Sequence, residues 1–206
     1  MRAELTIRET RRFTTAMDAL RRAEWLGGHP GDTRDEFDAI SRHLTLSVDG
    51  NLVGLVRTTL GLPSVLQAWS RGRAPLPSGP TVAEITRGVV AASVRGLGLY
   101  SLGMLETVLR LRALGVTSAT AAVEPDFVGR RFLAGLGFAS VASPIPLDDR
   151  PRRGTIVQCL WLPIDAGSEV RWSAMRDTLV RQLGDRGYRV DSDLEPSVAA
   201  VEATFG

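Results

Sequence analysis

Three groups of residues have the types and the spacing for chemistry. Arg95-Gly96-Leu97-Gly98 follow the small and β-branched run "GVVAAS" and lead into a long apolar-periodic segment. At a helix N-terminus such a turn would offer unsatisfied amides and the positive end of the helix dipole to an anion, with glycine letting the anion approach the backbone. The same residues would serve equally as a glycine-softened turn between a strand and a helix. Glu84 and Arg87 lie three apart in "EITRGVV". On a strand they point to opposite faces unless a bulge intervenes. Asp35 and Asp38, in "DTRDEFD", are spaced to cap a short helix. His29 and His43 stand alone without metal-ligand spacing, and no Gly-x-Ser-x-Gly occurs, so neither a metal site nor a serine nucleophile elbow is expected.

The chain has 206 residues, enough for one ordinary domain with a small appendage. Hydrophobic residues make up 44% and charged residues 23%, which excludes a disordered chain or a fibre. The 25 cations are all arginine, but the net charge is only +2. Arginine clusters without interleaved aromatics give no stacking surface, so a nucleic-acid partner is not expected. The single cysteine, Cys159, lies in the apolar run "TIVQCLWL", reads as a buried strand thiol and can form no intrachain disulfide, which fits a reducing compartment. "MRAELTIRE" lacks the apolar stretch of a signal peptide, and no run approaches a membrane span. A cytoplasmic location is the expectation.

The elements that must position these groups follow from pattern. "AELTIRE" alternates as a first strand, and a helical stretch runs around Thr14 to Arg22. "HLTLSV" and "LVGLVRTT" flank an Asp-Gly-Asn turn and predict a hairpin. Four prolines between Leu62 and Pro80 predict an irregular loop, in which Trp69 either lines a pocket or covers the sheet. "TVAEITRGVV" is a strand, and "YSLGMLETVLRLRALG" a helix ended by Gly115. "VTSATAAV" follows as a strand, "DFVGRRFLAGLGF" as a helix ending at Gly135 or Gly137, and "GTIVQCLWLPI" as a last strand. The order predicts one mixed sheet with helices on both faces. Beyond Asp165 the composition changes: "EVRWSAMRDTLVRQLGDRGYRV" has helical spacing throughout, and a short helix or loose tail follows.

The stretch from "VVAAS" to "LGF" at 136–138 resembles the GNAT superfamily of N-acyltransferases: a strand ending at Val90, an Arg-x-x-Gly turn at Arg95 to Gly98, a helix, a strand, and a helix finishing in Leu-Gly-Phe. The resemblance implies an α/β (α+β) fold with a mostly antiparallel central sheet, helices on both faces and a C-terminal helical appendage, divided as an acyltransferase domain over 1–165 and an extension over 166–206. In that family the turn binds the pyrophosphate of coenzyme A or the pantetheine arm of a carrier protein. Arg95, Gly96, Leu97 and Gly98 would therefore hold an acyl-CoA or acyl-carrier-protein thioester, and a main-chain amide at Val89 or Val90 would face the developing oxyanion. Two departures stand out. Tyr100 replaces the usual second small residue of the turn, and Leu133 stands where many members place a tyrosine that protonates the leaving thiolate.

Upstream, "DTRDEFD", the hairpin ending in "GLVRTT" and the "EITRGVV" strand resemble the acyl-homoserine-lactone synthases and the related N-acyl amino acid synthases. Asp35, Asp38, Arg57, Glu84 and Arg87 occupy that pattern in order, and Trp25 matches the tryptophan before the acidic pair. Ala83 and Gly88 replace flanking aromatics, and no residues are assigned to the arginine and phenylalanine that precede the tryptophan in those synthases. The resemblance spans Trp25 to Pro163. It implies acyl transfer to the amine of a small metabolite, with Glu84 taking the amine proton or joining Asp35, Asp38, Arg57 and Arg87 in a network that pins the N-terminal segment over the acceptor. Trp25 and Trp69 are the expected substrate contacts. The basic clusters at 129–131 and 150–153 would face the donor or a carrier protein, or simply solvent. An acetyl-CoA-dependent acetyltransferase and a non-catalytic acyl-thioester-binding module are the alternatives, and a homodimer stays open.

Overall fold

The computed structural model describes residues 2–26, 33–61, 79, 81–141, 143–146 and 156–192. Trp69, His29, the 150–153 cluster and the expected tail lie outside them. The chain runs β1 (Ala3–Thr10), α1 (Thr15–Trp25), a 3-10 turn (Glu36–Ala39), β2 (Arg42–Val48), β3 (Asn51–Leu60) and β4 (Val82–Val90). After a second 3-10 turn (Ala92–Val94) come α2 (Leu99–Ala113), β5 (Ser118–Val123), α3 (Arg130–Leu136), β6 (Ala139–Ser140), β7 (Ile145–Pro146), β8 (Ile156–Pro163), α4 (Ala166–Asp185) and β9 (Tyr188–Ser192). The strands form one sheet in the order β6-β8-β5-β4-β3-β2-β1-β9, with β7 on β8. Two neighbouring pairs, β4 with β5 and β1 with β9, are parallel. The rest are antiparallel.

Local chemistry explains the elements that matter for the site. The β2–β3 hairpin turns on Asp49 and Gly50, both at positive φ (48° and 79°), as a tight two-residue turn requires. α2 buries Leu99, Leu102, Leu105, Val108 and Leu111 at 0–2% exposure, a repeat that keeps one stripe against the sheet. It ends as the Val116 amide reaches back to the Leu111 carbonyl at 3.0 Å. α2, α3 and α4 share one core with Leu46, Val56, Ile85 and Ala121 on one face of the sheet. α1 covers the other face, where Met17 and Leu20 meet Leu55 and Val89.

The C-terminal segment differs from its expected form in one respect. Helical spacing stops at Asp185, Gly187 takes φ +87°, and the chain re-enters the sheet as β9 beside β1. β8 is therefore not the last strand. Trp172 (0% exposed) and Leu183 (1%) of α4 belong to the same core as α2, and the Trp172 indole donates to the Leu136 carbonyl at 2.9 Å. The change of composition at 165/166 is real, but packing runs across it.

Candidate active site

β4 and β5 pair only from Val82↔Ser118 to Ile85↔Ala121, and then part. β4 is bulged just where they separate. Leu55 faces Val89 and Arg57 faces Thr86, so Arg87 and Gly88 together oppose a single residue of β3. Arg87 carries the extra residue's conformation, with φ +57°. The bulge resolves the parity problem set by the spacing of 84 and 87. Glu84 and Thr86 face α1 by ordinary alternation, and the inserted residue turns the Arg87 side chain to that same side, where its guanidinium reaches Asp35. Beyond the bulge the phase has changed, and Val89 packs under α1.

The gap between the diverging strands is a cleft of about 430 Å³. On the α1 side its described walls include Glu24, Trp25, Thr86 and Arg87, and on the α2 side Tyr100, Met104 and Leu133. It therefore passes between the two faces of the sheet. The strand edges bordering it beyond the Ile85–Ala121 pair, 86–88 and 122–123, have no mutual ladder.

Beneath the α1 wall lies a chain of five charges. Asp38 accepts from Arg21 Nη1 at 2.9 and 2.8 Å and from Arg57 Nη1 at 3.1 Å. Asp35 accepts from Arg57 Nη1 at 2.5 Å and from Arg87 Nη2 at 2.9 Å. Two carboxylates thus bind three guanidiniums, with Arg21 and Arg57 fully buried. Arg57 Nε also donates to Thr86 Oγ1 on β4, at 3.0 Å. The aspartates do both things expected of them: Asp35 caps the 3-10 turn, its Oδ1 accepting from the Phe37 amide at 3.0 Å, while also closing the network. Aromatic rings take the remaining guanidinium faces. Arg87 lies 5.2 Å from the Trp25 centroid, and Arg21 lies 4.5 Å from Phe13 and 5.6 Å from Trp25. Glu84, 3% exposed, is buried on this same face two residues before Thr86, but it is not among the described residues lining the cleft.

Sequence reasoning missed Arg21, Phe13 and Glu24. The row Met17-Arg21-Trp25, at steps of four, held the signal, because an arginine within an apolar stripe must be buried with a partner. Glu24 pairs with Arg95 and accepts the Ala92 amide at 2.9 Å, so the C-terminal end of α1 is tied to the turn. In that turn Gly98 sits at φ +84° as the N-cap of α2, a conformation that suits glycine alone. Arg95 lines the cleft, whereas Gly96, Leu97 and Gly98 are not among its described lining residues. Nor are Val89 and Val90, which are paired with Leu55 and Gly54 of β3. From β4 the cleft is lined by Ile85–Gly88 instead. His43 holds the network from below, with Nε2 3.1 Å from the Asp38 carbonyl, an acceptor that requires the proton on that nitrogen. Among the described residues no group of acidic, histidine and cysteine side chains could hold a metal ion, and no helix is long and apolar enough to cross a membrane.

Burial shapes the titration of this region. Burial would raise the Asp38 carboxyl, but the hydrogen bond and charge of Arg21, with the charge of Arg57, outweigh it and hold it below the usual 3.8. Burial lowers His43 from its usual 6.5, only partly opposed by the Asp38 carbonyl and carboxylate. Cys159 is buried as expected, and burial, with the nearby charge of Glu84, pushes its thiol up to about 11. A histidine kept neutral in the fold binds its proton first in the unfolded chain, so its contribution is complete above pH 6.5 and is lost as pH falls. Thermal melts taken from pH 7 down to pH 5 are expected to show a falling midpoint, well before Asp38 protonates. A midpoint that stays level or rises over that interval would contradict a buried neutral imidazole.

No protein-family model matches the chain, and no curated protein matches it. Solved structures do. The CoA-dependent acyl-homoserine lactone synthase BjaI, solved with SAM and isopentyl-CoA, is 16% identical with a TM-score of 0.63, over 98% of each chain. The acyl-homoserine lactone synthase LasI is 15% identical with a TM-score of 0.62, over 84% of this chain and 95% of its own. The ribosomal-protein-S18-alanine N-acetyltransferase from Escherichia coli is 15% identical with a TM-score of 0.53, over 77% of this chain and 94% of its own. At such identities the likeness establishes the fold, which is the GNAT fold in the form that acyl-homoserine lactone synthases share.

Proposed function

We propose that this chain transfers an acyl group from an acyl-CoA thioester to the amine of a small metabolite, in the manner of an acyl-homoserine-lactone or N-acyl amino acid synthase. The observation that carries the reading is the cleft between β4 and β5, with Arg95 beside Glu24 on its lining and the aspartate–arginine network beneath its α1 wall. An extended pantetheine arm suits it, because an unpaired strand edge offers amides and carbonyls to a strand-like ligand. A main-chain amide of the unpaired stretch at 86–88 would stabilise the oxyanion. Glu84, through a held water, would take the proton the amine must lose. Trp25, fixed by Arg21 and Arg87, would form the acceptor wall, and Asp35, Asp38 and Arg57 would hold that wall in place. The solved relatives BjaI and MesI, both described as CoA-dependent, favour coenzyme A over a carrier protein as the donor's handle.

The test is thiol release from a series of acyl-CoAs, acetyl to long-chain, against a panel of amino acids and sulfonium amines, with mass spectrometry of the products. N-acyl products longer than acetyl support the reading. Acetyl products alone favour an acetyltransferase, and thioester binding without thiol release overturns the enzyme. Arg95→Ala is expected to raise the donor KM about ten-fold with kcat nearly unchanged, since a charge-assisted hydrogen bond is worth about 1.5–3 kcal/mol. An unchanged KM in that variant removes the turn from the donor site.

A further inference from the structure

We infer that Tyr100 donates a hydrogen bond from its hydroxyl to the departing thioester sulfur, from the side of the sheet opposite the amine-handling groups. The inference rests on the transferase reading above. In that reaction the amine nitrogen bonds to the acyl carbon, the carbon–sulfur bond breaks and its electron pair stays on sulfur. The amine gives up one proton to Glu84 or water, and the thiolate takes one from solvent. Tyr100 keeps its own proton throughout, stabilising the charge while it forms.

The cleft assigns the two ends of the reaction to different walls. Thr86, Arg87 and Trp25 belong to the α1 side, and Thr86 already accepts from Arg57. On the α2 side Met104 and Leu133 offer no donor, and Tyr100 does. Its hydroxyl makes no hydrogen bond to another described residue, although the ring is held from two directions. A Cβ at residue 88 would come within 3.1 Å of Tyr100 Cε2 and 3.7 Å of its hydroxyl oxygen, so glycine at the bulge lets the ring lie against the strand where a side chain would push it back by a few tenths of an ångström. Phe127, from the segment after β5, meets it edge-on with centroids 5.4 Å apart and planes at 72°. The phenol thus stands between the two diverging strands, fixed in place with its donor uncommitted. Burial raises its pKa above the ordinary value of 10, which keeps it a hydrogen-bond donor at any working pH.

Tyr100→Phe keeps both ring contacts and removes only the hydroxyl. With the best acyl-CoA and amine, kcat is expected to fall ten-fold or more, with the donor KM within two-fold of wild type. Unchanged kcat overturns the inference, as does a raised KM with unchanged kcat, which marks packing alone. The chain holds two tyrosines, so in a Tyr188→Phe background uniform 3-fluorotyrosine alters the acidity of position 100 alone. A kcat that shifts with that acidity supports the inference, and one that does not overturns it. If the wild type releases no thiol from any acyl-CoA, the transferase reading falls and takes this inference with it. If the wild type turns over and Tyr100→Phe matches it, only the inference falls.

Discussion

Asp38→Ala is expected to cost about 3–5 kcal/mol of folding stability, enough to unfold a marginal domain near physiological temperature. The side chain accepts from Arg21 and Arg57, both 0% exposed. Removing it takes from Arg21 its carboxylate partner and leaves Arg57 to share Asp35 with Arg87. The contrast is Asp191→Ala, which breaks an ion pair with Arg8 of nearly the same length, 2.6 Å, but with 38% and 44% of the two side chains exposed. That pair is worth less than about 1 kcal/mol, because solvent screens it. Urea midpoints of the two variants, measured side by side, make the comparison. Equal small losses would show that the network tolerates a missing anion and is not what holds the N-terminal segment.

At position 87, alanine and glycine are expected to abolish turnover alike and to differ in stability. Arg87 holds a left-handed backbone, φ +57°, that costs a non-glycine residue roughly 1–3 kcal/mol. Arg87→Ala keeps that strain and loses the ion pair to Asp35, whereas Arg87→Gly loses the ion pair and relieves the strain. Glycine should therefore be the more stable of the two by about 1 kcal/mol, with thiol release reduced at least a hundred-fold in both, since Trp25 and Asp35 lose the group that aligns them. Wild-type turnover in either variant would remove the network from the active site. Equal stabilities would mean that the bulge relaxes once the arginine is gone.

The sheet was legible wherever pattern and turn chemistry agreed. Asp49-Gly50 marked the hairpin, the Leu and Val stripe marked α2, and small β-branched runs marked β4 and β5. β9 was not legible: five residues of "YRVDS" continue a helical spacing plausibly, and only the positive φ at Gly187 breaks it. The bulge was legible only as a condition, since Glu84 and Arg87 at a spacing of three need one to share a face; Gly88 within the strand was its cue, although the residue that adopts the unusual φ is the arginine before it. That single shift puts Thr86, Arg87 and Val89 all on the α1 side, while 85–88 line the cleft. Asp35, Asp38, Arg57 and Arg87 were legible through resemblance, and the structure joins them. Tyr100 read as a departure from a small-residue turn, since nothing in sequence shows that Gly88 makes room for it.

β1 and β9 are parallel neighbours, with Ala3 opposite Tyr188, although they stand near opposite ends of the described chain. During synthesis β1 leaves the ribosome before its outer partner exists, and that edge stays unpaired until residues 188–192 follow. Closure of that edge is expected to be a late, non-local step in folding, after which the edge is no longer open to pairing with another chain.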